Sequence, residues 1–300
     1  MIMTKVAVLK GGLSRERDVS LSSGAACAVA LKQAGYDVVE IDVGRDIWEK
    51  LKEAKPDVCL NALHGPLGED GSIQGVLNYL GIPYTHSGVS ASALAMDKNR
   101  TKMIADDIGI PIAKGKLVNE AEFWAEPPVE PYVIKPVNDG SSIDTFVVRD
   151  PAEHPFKKGE WPFKGRALLE ELIDGTELTC TVLGDRALTV TEIVPAKDAF
   201  YNYSAKYAPG GSNHILPARV SQDVLDTCMS ASLKIHKALG CRGISRSDFI
   251  LDKRTNKPVF LEVNNQPGMT PTSLAPEQAA HVGIDFPSLM RILIENAQTD

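Results

Sequence analysis

No run of apolar residues in this 300-residue sequence approaches the length of a membrane span. The start, "MIMTKVAVLKGG", goes directly into a strand-like segment and a glycine turn, without the layout of a signal peptide. Five cysteines (Cys27, Cys59, Cys180, Cys228, Cys241) are scattered, with no CxxC pair and no even count. That excludes a disulfide framework and reads as free thiols used as small hydrophobes. Long charge runs are also missing. With 32 basic and 39 acidic residues the net charge is −7, which argues against a general nucleic-acid or anionic-membrane surface and leaves room for a local basic pocket. Internal repeats and low-complexity segments are absent. A cytoplasmic location is expected, with no nucleic-acid or membrane partner.

What is present is ordinary globular composition, 43% hydrophobic and 24% charged, in a chain long enough for two or three domains. Strand and helix patterns alternate through the first hundred residues. "KVAVLKGG", "YDVVEIDV", "DVCLNALHG" and "IPYTH" read as strands. Ser20 to Ala34, "IWEKLKEA", "DGSIQGVLNYLG" and "SGVSASALAMDKNRTKMIADDIG" read as helices. This order predicts a parallel sheet with helices on both faces. Ligands gather beyond the carboxyl ends of such strands, where "GGLSRERDVS" and "ALHGPLGEDG" would lie. After "GIPIAKGKLV" the texture becomes mixed α+β: short strands "PYVIKPV", "TFVVRD", "RALLEELI", "LTCTVLG" and "ALTVTEIVP" with hairpin-sized gaps. "DPAEHPFKKGEWPFKG" looks like a surface connection, and residues 198–213 form a Gly- and Tyr-containing loop too long for a simple connector. A helix over about Ser221 to Leu239, a hairpin and a last helix "FPSLMRILIENA" complete the chain.

The hairpin "ISRSDFILDKRTNKPVFLEVNNQ" carries the chemistry. A turn centred on Thr255 sets Asp248 opposite Glu262 and Arg246 opposite Asn264. Directly opposed side chains have Cβ atoms about 4.5–5.5 Å apart, and two bare carboxylates at that distance repel. A divalent cation held by Asp248, Glu262 and Asn264 removes the conflict, and oxygen donors of this kind suit Mg²⁺. A register slipped by one residue, or neutralisation of the acids by Arg246, would remove it equally well.

Seven segments, in order, carry a resemblance: "GGLSRERDVSLSSG", "ALHGPLGEDGSIQG", "YTHSGVSASALAMDK", "VIKPVNDGSS", "FYNYSAKY", "GISRSDF" and "LEVNNQPGMTPTSL". Across residues 6–274 the chain resembles the D-alanine–D-alanine ligases of the ATP-grasp family. The resemblance implies three units: residues 1–97 with a parallel, Rossmann-like sheet and the first D-alanine site, a central ATP-grasp unit 98–177, and a C-terminal one 178–300. It implies ATP as substrate, two Mg²⁺ replaceable by Mn²⁺, a homodimer joined through the N-terminal unit, and a product made for peptidoglycan.

The resemblance also implies roles. Asp248, Glu262 and Asn264 hold metal; Lys98, Lys135 and Lys206 contact phosphates, with Ser142 and its neighbours in "DGSS" cradling them. Glu170, Glu171, Leu172 and Ile173 form the hinge strand on the adenine edge, and Glu177 takes the ribose. Glu16 pairs with the ammonium of the first D-alanine, in a loop linked to Ser141 and Tyr207, while His64 sits near that substrate's carboxylate. On local sequence alone Glu16 could instead cap the following helix. Arg246 and the backbone N–H of Gly268 stabilise the oxyanion, and Ser273 with Leu274 receives the second carboxylate at a helix start. Use of D-lactate or D-serine as second substrate, or loss of catalysis, are the competing readings.

The chain departs from the family at Asp144, where the phosphate loop usually has glycine. At an effective dielectric near 20, like charges about 8 Å apart cost roughly 2 kcal/mol. Weakened ATP binding or a displaced loop is expected. Ser204 and Asn265 also depart from common family residues, with small effects expected.

Overall fold

The computed structural model describes residues 3–140, 143–195 and 211–300. Three β-strands, β1 (Lys5–Gly11), β2 (Asp37–Val43) and β3 (Val58–Asn61), form a parallel sheet in the order β2-β1-β3. Because side chains alternate along a strand, β1 feeds two cores. Ala7 and Leu9 meet Leu51 of α2 (Ile47–Ala54) and Leu77 of α3 (Ser72–Leu80) on one face. Val6 and Val8 meet Cys27 and Leu31 of α1 (Arg17–Gln33) on the other. The expected strand "IPYTH" is reduced to single bridges of Tyr84 with Cys59 and Gln298.

The long helix expected over residues 87–109 is two helices, α4 (Val89–Met96) and α5 (Lys98–Asp107). The chain is extended at Asp97, whose carboxylate accepts from the Arg100 N–H at 3.0 Å and caps α5. Asp97 and Lys98 fit the helical periodicity, so the break is invisible to pattern; capping chemistry decides it.

A second, antiparallel sheet has the order β4-β7-β5-β6, from β4 (Gly115–Val118), β5 (Tyr132–Pro136), β6 (Phe146–Val148) and β7 (Ala167–Glu171). A short helix α6 (Glu120–Ala125) packs on it, started by a reciprocal Asn119–Glu122 capping box. The stretch 150–165 is not a mere surface connection. Its Phe156 and Phe163 are buried; they and Trp161 meet one another edge-on, and Phe156 and Trp161 lie tilted against Phe123, forming the core of this unit.

The third sheet is also antiparallel, order β10-β9-β8-β11-β12, from β8 (Gly175–Leu183), β9 (Arg186–Pro195), β10 (Ser212–Ile215), β11 (Ile244–Asp252) and β12 (Pro258–Asn264). Leu178, Cys180, Phe249, Phe260 and Val263 point to one face, under α7 (Gln222–Ala238) and α4–α5. The opposite face carries Thr179, Arg246, Asp248 and Glu262. The last helices, α8 (Leu274–His281) and α9 (Phe286–Glu295), bring Ala275, Ala279, Leu289 and Leu293 into the core beneath the first sheet. No helix among the described residues is long and apolar enough to cross a membrane.

Candidate active site

Two cavities meet on the polar face of the third sheet. One, of about 520 Å³, is lined by residues of all three sheets' loops, including Glu16, His64, Arg246, Asn264, Gly268, Ser273 and Leu274. The other, about 730 Å³, opens between the second and third sheets and is lined by Lys135, Glu170, Glu171, Leu172, Ile173, Glu177 and Asp248. Lys98, Asp139 and Glu262 line both. Every described residue given a site role from the sequence borders one cavity or the other, whereas Asp144 borders neither. Ser141, Ser142, Lys206 and Tyr207 lie outside the described residues.

The hairpin register is as expected at the site, though not for the expected reason. Near the turn Phe249 pairs with Phe260 and Ile250 with Val259, one residue short of a Thr255-centred count. A β-bulge between Asp248 and Phe249 absorbs Leu261 and restores Asp248 opposite Glu262 and Arg246 opposite Asn264. Without that extra residue Asp248 would face Leu261.

The two acids do not face each other unpaired. Arg246 donates to both Asp248 oxygens, Nε at 2.8 Å and NH2 at 2.7 Å. The Thr179 hydroxyl, opposite Asp248 on β8, donates at 2.6 Å. Glu262 has Lys98 Nζ at 3.6 Å, and the Asn264 Oδ1 accepts from the Gln266 N–H at 2.9 Å. Neutralisation by Arg246, one of the alternatives open from sequence, is therefore realised for Asp248. Among the described residues no three His, Cys, Asp or Glu side chains converge as a metal cage. Two carboxylates and an amide on one sheet face suit Mg²⁺, which completes its shell with water and phosphate oxygens, better than a metal that needs a full set of protein ligands.

Glu16 stands at the N-terminus of α1, yet its side chain makes no capping bond. It is buried in the smaller cavity against two glycines: a Cβ on Gly65 or Gly140 would lie 2.5 or 2.9 Å from its Oε2. A hydrogen-bonded cap is therefore not formed, although the carboxylate still sits at the positive end of α1. His64 is buried between the Ser23 hydroxyl at Nε2 (3.1 Å) and Glu69 at Nδ1 (3.1 Å). Neither partner was foreseen, because Ser23 reads as a helix interior and Glu69 as a loop acid. Gly268 lies against Ser273, whose hydroxyl also meets the Thr270 Oγ1 at 2.8 Å.

In the larger cavity Glu170 and Glu171 of the expected hinge end β7, Leu172 and Ile173 follow it, and two of the hinge's donors are already used. The Glu171 N–H bonds Lys114 O at 2.9 Å and the Leu172 N–H bonds Pro131 O at 3.1 Å. The Glu170 carboxylate is buried and gripped by two lysines, Lys135 at 2.8 Å and Lys102. Burial alone would raise the Glu170 pKa, but these two ammonium groups hold it below the usual carboxylate range. Burial alone would lower Lys135, but Glu170 and Glu262 lift it above the ordinary lysine value. Lys102 has no sequence signal; an isolated lysine on a helix ordinarily reads as solvated.

Asp144 is in the left-handed region, φ 54°, where the family's glycine would be unstrained. Its carboxylate meets Arg15 NH1 at 3.1 Å, which offsets part of the charge it adds.

Comparison with known proteins agrees with this geometry. The family model for the D-ala D-ala ligase C-terminus matches residues 104–295, and that for the N-terminus matches residues 45–87. The chain is 53% identical over 299 residues to a D-alanine–D-alanine ligase of Chelativorans sp. (strain BNC1), and 52% identical to one of Agrobacterium fabrum, with 97% of each chain covered. Among solved structures, the D-alanine–D-alanine ligase of Bacillus anthracis complexed with ATP superposes with a TM-score of 0.80 at 29% identity, covering 97% of this chain and 96% of that one. The VanG D-Ala:D-Ser ligase of Enterococcus faecalis gives 0.81 at 28%, covering 98% and 99%. With its fold and both halves of its sequence matched, the chain belongs to the D-alanine–D-alanine ligase family.

Proposed function

We propose that the chain joins two D-alanines into D-alanyl-D-alanine at the expense of ATP, releasing ADP and phosphate, for a peptidoglycan precursor. The observation that carries this is the shared wall. Lys98, Asp139 and Glu262 border both cavities, so a phosphoryl group at the end of a nucleotide in one comes to a carboxylate held in the other. A free carboxylate does not condense with an amine in water. Making it an acyl phosphate first supplies the leaving group.

The nucleotide occupies the larger cavity. Its adenine edge lies along 170–173, where Ile173 supplies the N–H because those of Glu171 and Leu172 are spent, and Glu177 faces the ribose. Lys98 and Lys135 meet the phosphates. Glu16 takes the ammonium of the first D-alanine and His64 orients its carboxylate. That carboxylate attacks the γ-phosphate, and the amine of the second D-alanine then attacks the acyl carbon. Arg246 and the Gly268 N–H stand beside the resulting oxyanion, and removing one such donor commonly costs about 10²–10³ in rate. The start of α8, at Ser273 and Leu274, receives the second carboxylate. Asp248, Glu262 and Asn264 would hold Mg²⁺, which when bound supplies charge neutralisation on the phosphate oxygens. For Asp248 this requires Arg246 to share or leave its carboxylate. Ser142 and Lys206 are assigned to phosphate, and Ser141 and Tyr207 to the loop around Glu16, on family likeness alone. The same likeness supports the division at 97/98 and 177/178 and a homodimer through the N-terminal unit.

The test is phosphate release with ATP and Mg²⁺. D-Alanine should trigger it and L-alanine should not, and the product should be the dipeptide. Release driven preferentially by D-serine or D-lactate as acceptor, or none with D-alanine, overturns the assignment.

A further inference from the structure

Glu170 enters the family reading through its backbone, but its side chain is the centre of a buried ion cluster. Lys135 of β5 approaches one carboxylate oxygen at 2.8 Å and Lys102 of α5 the other. All three residues are buried. Lys135 and Glu170 border the larger cavity, whereas Lys102 borders neither and lies behind the wall. Glu262 also acts on both of these lysines and has Lys98 at 3.6 Å, so three ammonium groups, Lys98, Lys102 and Lys135, stand against two carboxylates and leave a surplus positive charge. Such an imbalance away from water is costly unless something compensates it. Its open side is the cavity, reached through Lys135.

We propose that Lys102 is a positioning residue for polyphosphate: by engaging one oxygen of Glu170 it keeps the cluster one positive charge in excess and fixes Lys135 toward the cavity. Without Lys102, Glu170 and Glu262 balance Lys135 and Lys98, with little attraction left for an anion. The inference rests on the proposal that ATP fills this cavity.

A second property of the cluster supports it. Burial above all, then repulsion from Lys135, brings Lys102 down to about 8 against the opposing pull of Glu170 and Glu262. An arriving polyphosphate adds negative charge and favours the protonated form. Nucleotide binding near pH 8 should therefore take up protons, and affinity should fall as pH rises past that value.

The experiment measures calorimetric binding of ATP, ADP and adenosine, each with Mg²⁺, at pH 7 and 8 in buffers of different ionisation enthalpy. For Lys102→Met, ATP and ADP should weaken about tenfold or more, as expected for losing one buried charge nearby. Adenosine binding should be unchanged, and the proton uptake shown by the unaltered protein at pH 8 should vanish. Lys102→Arg should keep the affinity while losing the uptake. If Lys102→Met binds ATP within twofold of the unaltered protein, or loses adenosine in parallel, the inference fails. Absence of proton uptake in the unaltered protein defeats it without any variant. D-Alanine-dependent phosphate release by the unaltered protein, measured alongside, separates this failure from failure of the ligase assignment.

Discussion

Glu16 owes its position to atoms that are missing elsewhere. Gly140 has no positive φ to defend, so Gly140→Ala tests space alone: its new Cβ would meet the Glu16 carboxylate. We expect the KM for the first D-alanine to rise about tenfold, since small misplacements at a reacting centre cost that much or more; an unchanged KM would detach Glu16 from substrate binding. Asp144 invites a second test. Asp144→Asn keeps a residue that tolerates the left-handed backbone and removes the charge, while Asp144→Gly removes both strain and charge. Each should lower the KM for ATP by a few fold, less than the bare repulsion implies, because Arg15 already offsets part of it. An effect confined to the glycine variant would assign the defect to backbone strain. At this scale the residues that touch ligand in the family were readable from motifs. Their supports were not: Thr179 under Asp248, Glu69 beside His64 and Lys102 behind Glu170 are single residues with bland neighbours, brought into place only by tertiary packing.

At the scale of elements, the junction of α4 and α5 couples stability to the site, because the cap residue Asp97 immediately precedes Lys98. Asp97→Ala should lower stability by about 0.5–2 kcal/mol and raise the KM for ATP as Lys98 loses its register. Asp97→Asn, which can still accept from Arg100, should do much less. Thermal melts and ATP kinetics on both variants check this; equal effects would mean that charge rather than capping matters. The strands were legible because alternation and turn chemistry are local. The hairpin shows the limit of that legibility. A count from Thr255 gives the observed pairing at the site, but two departures cancel, a turn one residue out and a bulge that takes up Leu261. In the second unit local composition misleads outright. Prolines and charges around Phe156, Trp161 and Phe163 look solvent-bound, yet their rings supply that unit's core.

For the whole molecule, acid is the predicted weakness. Burial depresses His86 to about 3 and His236 to about 4, so both are neutral in the fold. Unfolded, they bind protons near the ordinary 6.5. Stability is thus complete above about pH 6.5 and is lost as pH falls toward those depressed values. The Tm should fall steadily between pH 6.5 and 4, and His86→Gly, at a φ of 70° that suits glycine, should flatten part of that slope. A Tm independent of pH in this range would contradict the assignment. Thiols report the same cooperativity: all five cysteines are buried, with burial pushing Cys27, Cys59, Cys180 and Cys228 up to about 12 and Cys241 to about 11. An aromatic disulfide reagent should leave the folded protein unlabelled and take all five on denaturation; prompt labelling of any one would reveal a local opening.

Ala275, Ala279, Leu289 and Leu293 share a core with Val6 and Val8, at the other end of the sequence. During synthesis on the ribosome the first strands emerge before the other two sheets, and the helices that complete their covering follow only after both. One apolar side of the first sheet therefore stays uncovered until residues far along the chain have been made, an exposure that only late long-range packing ends.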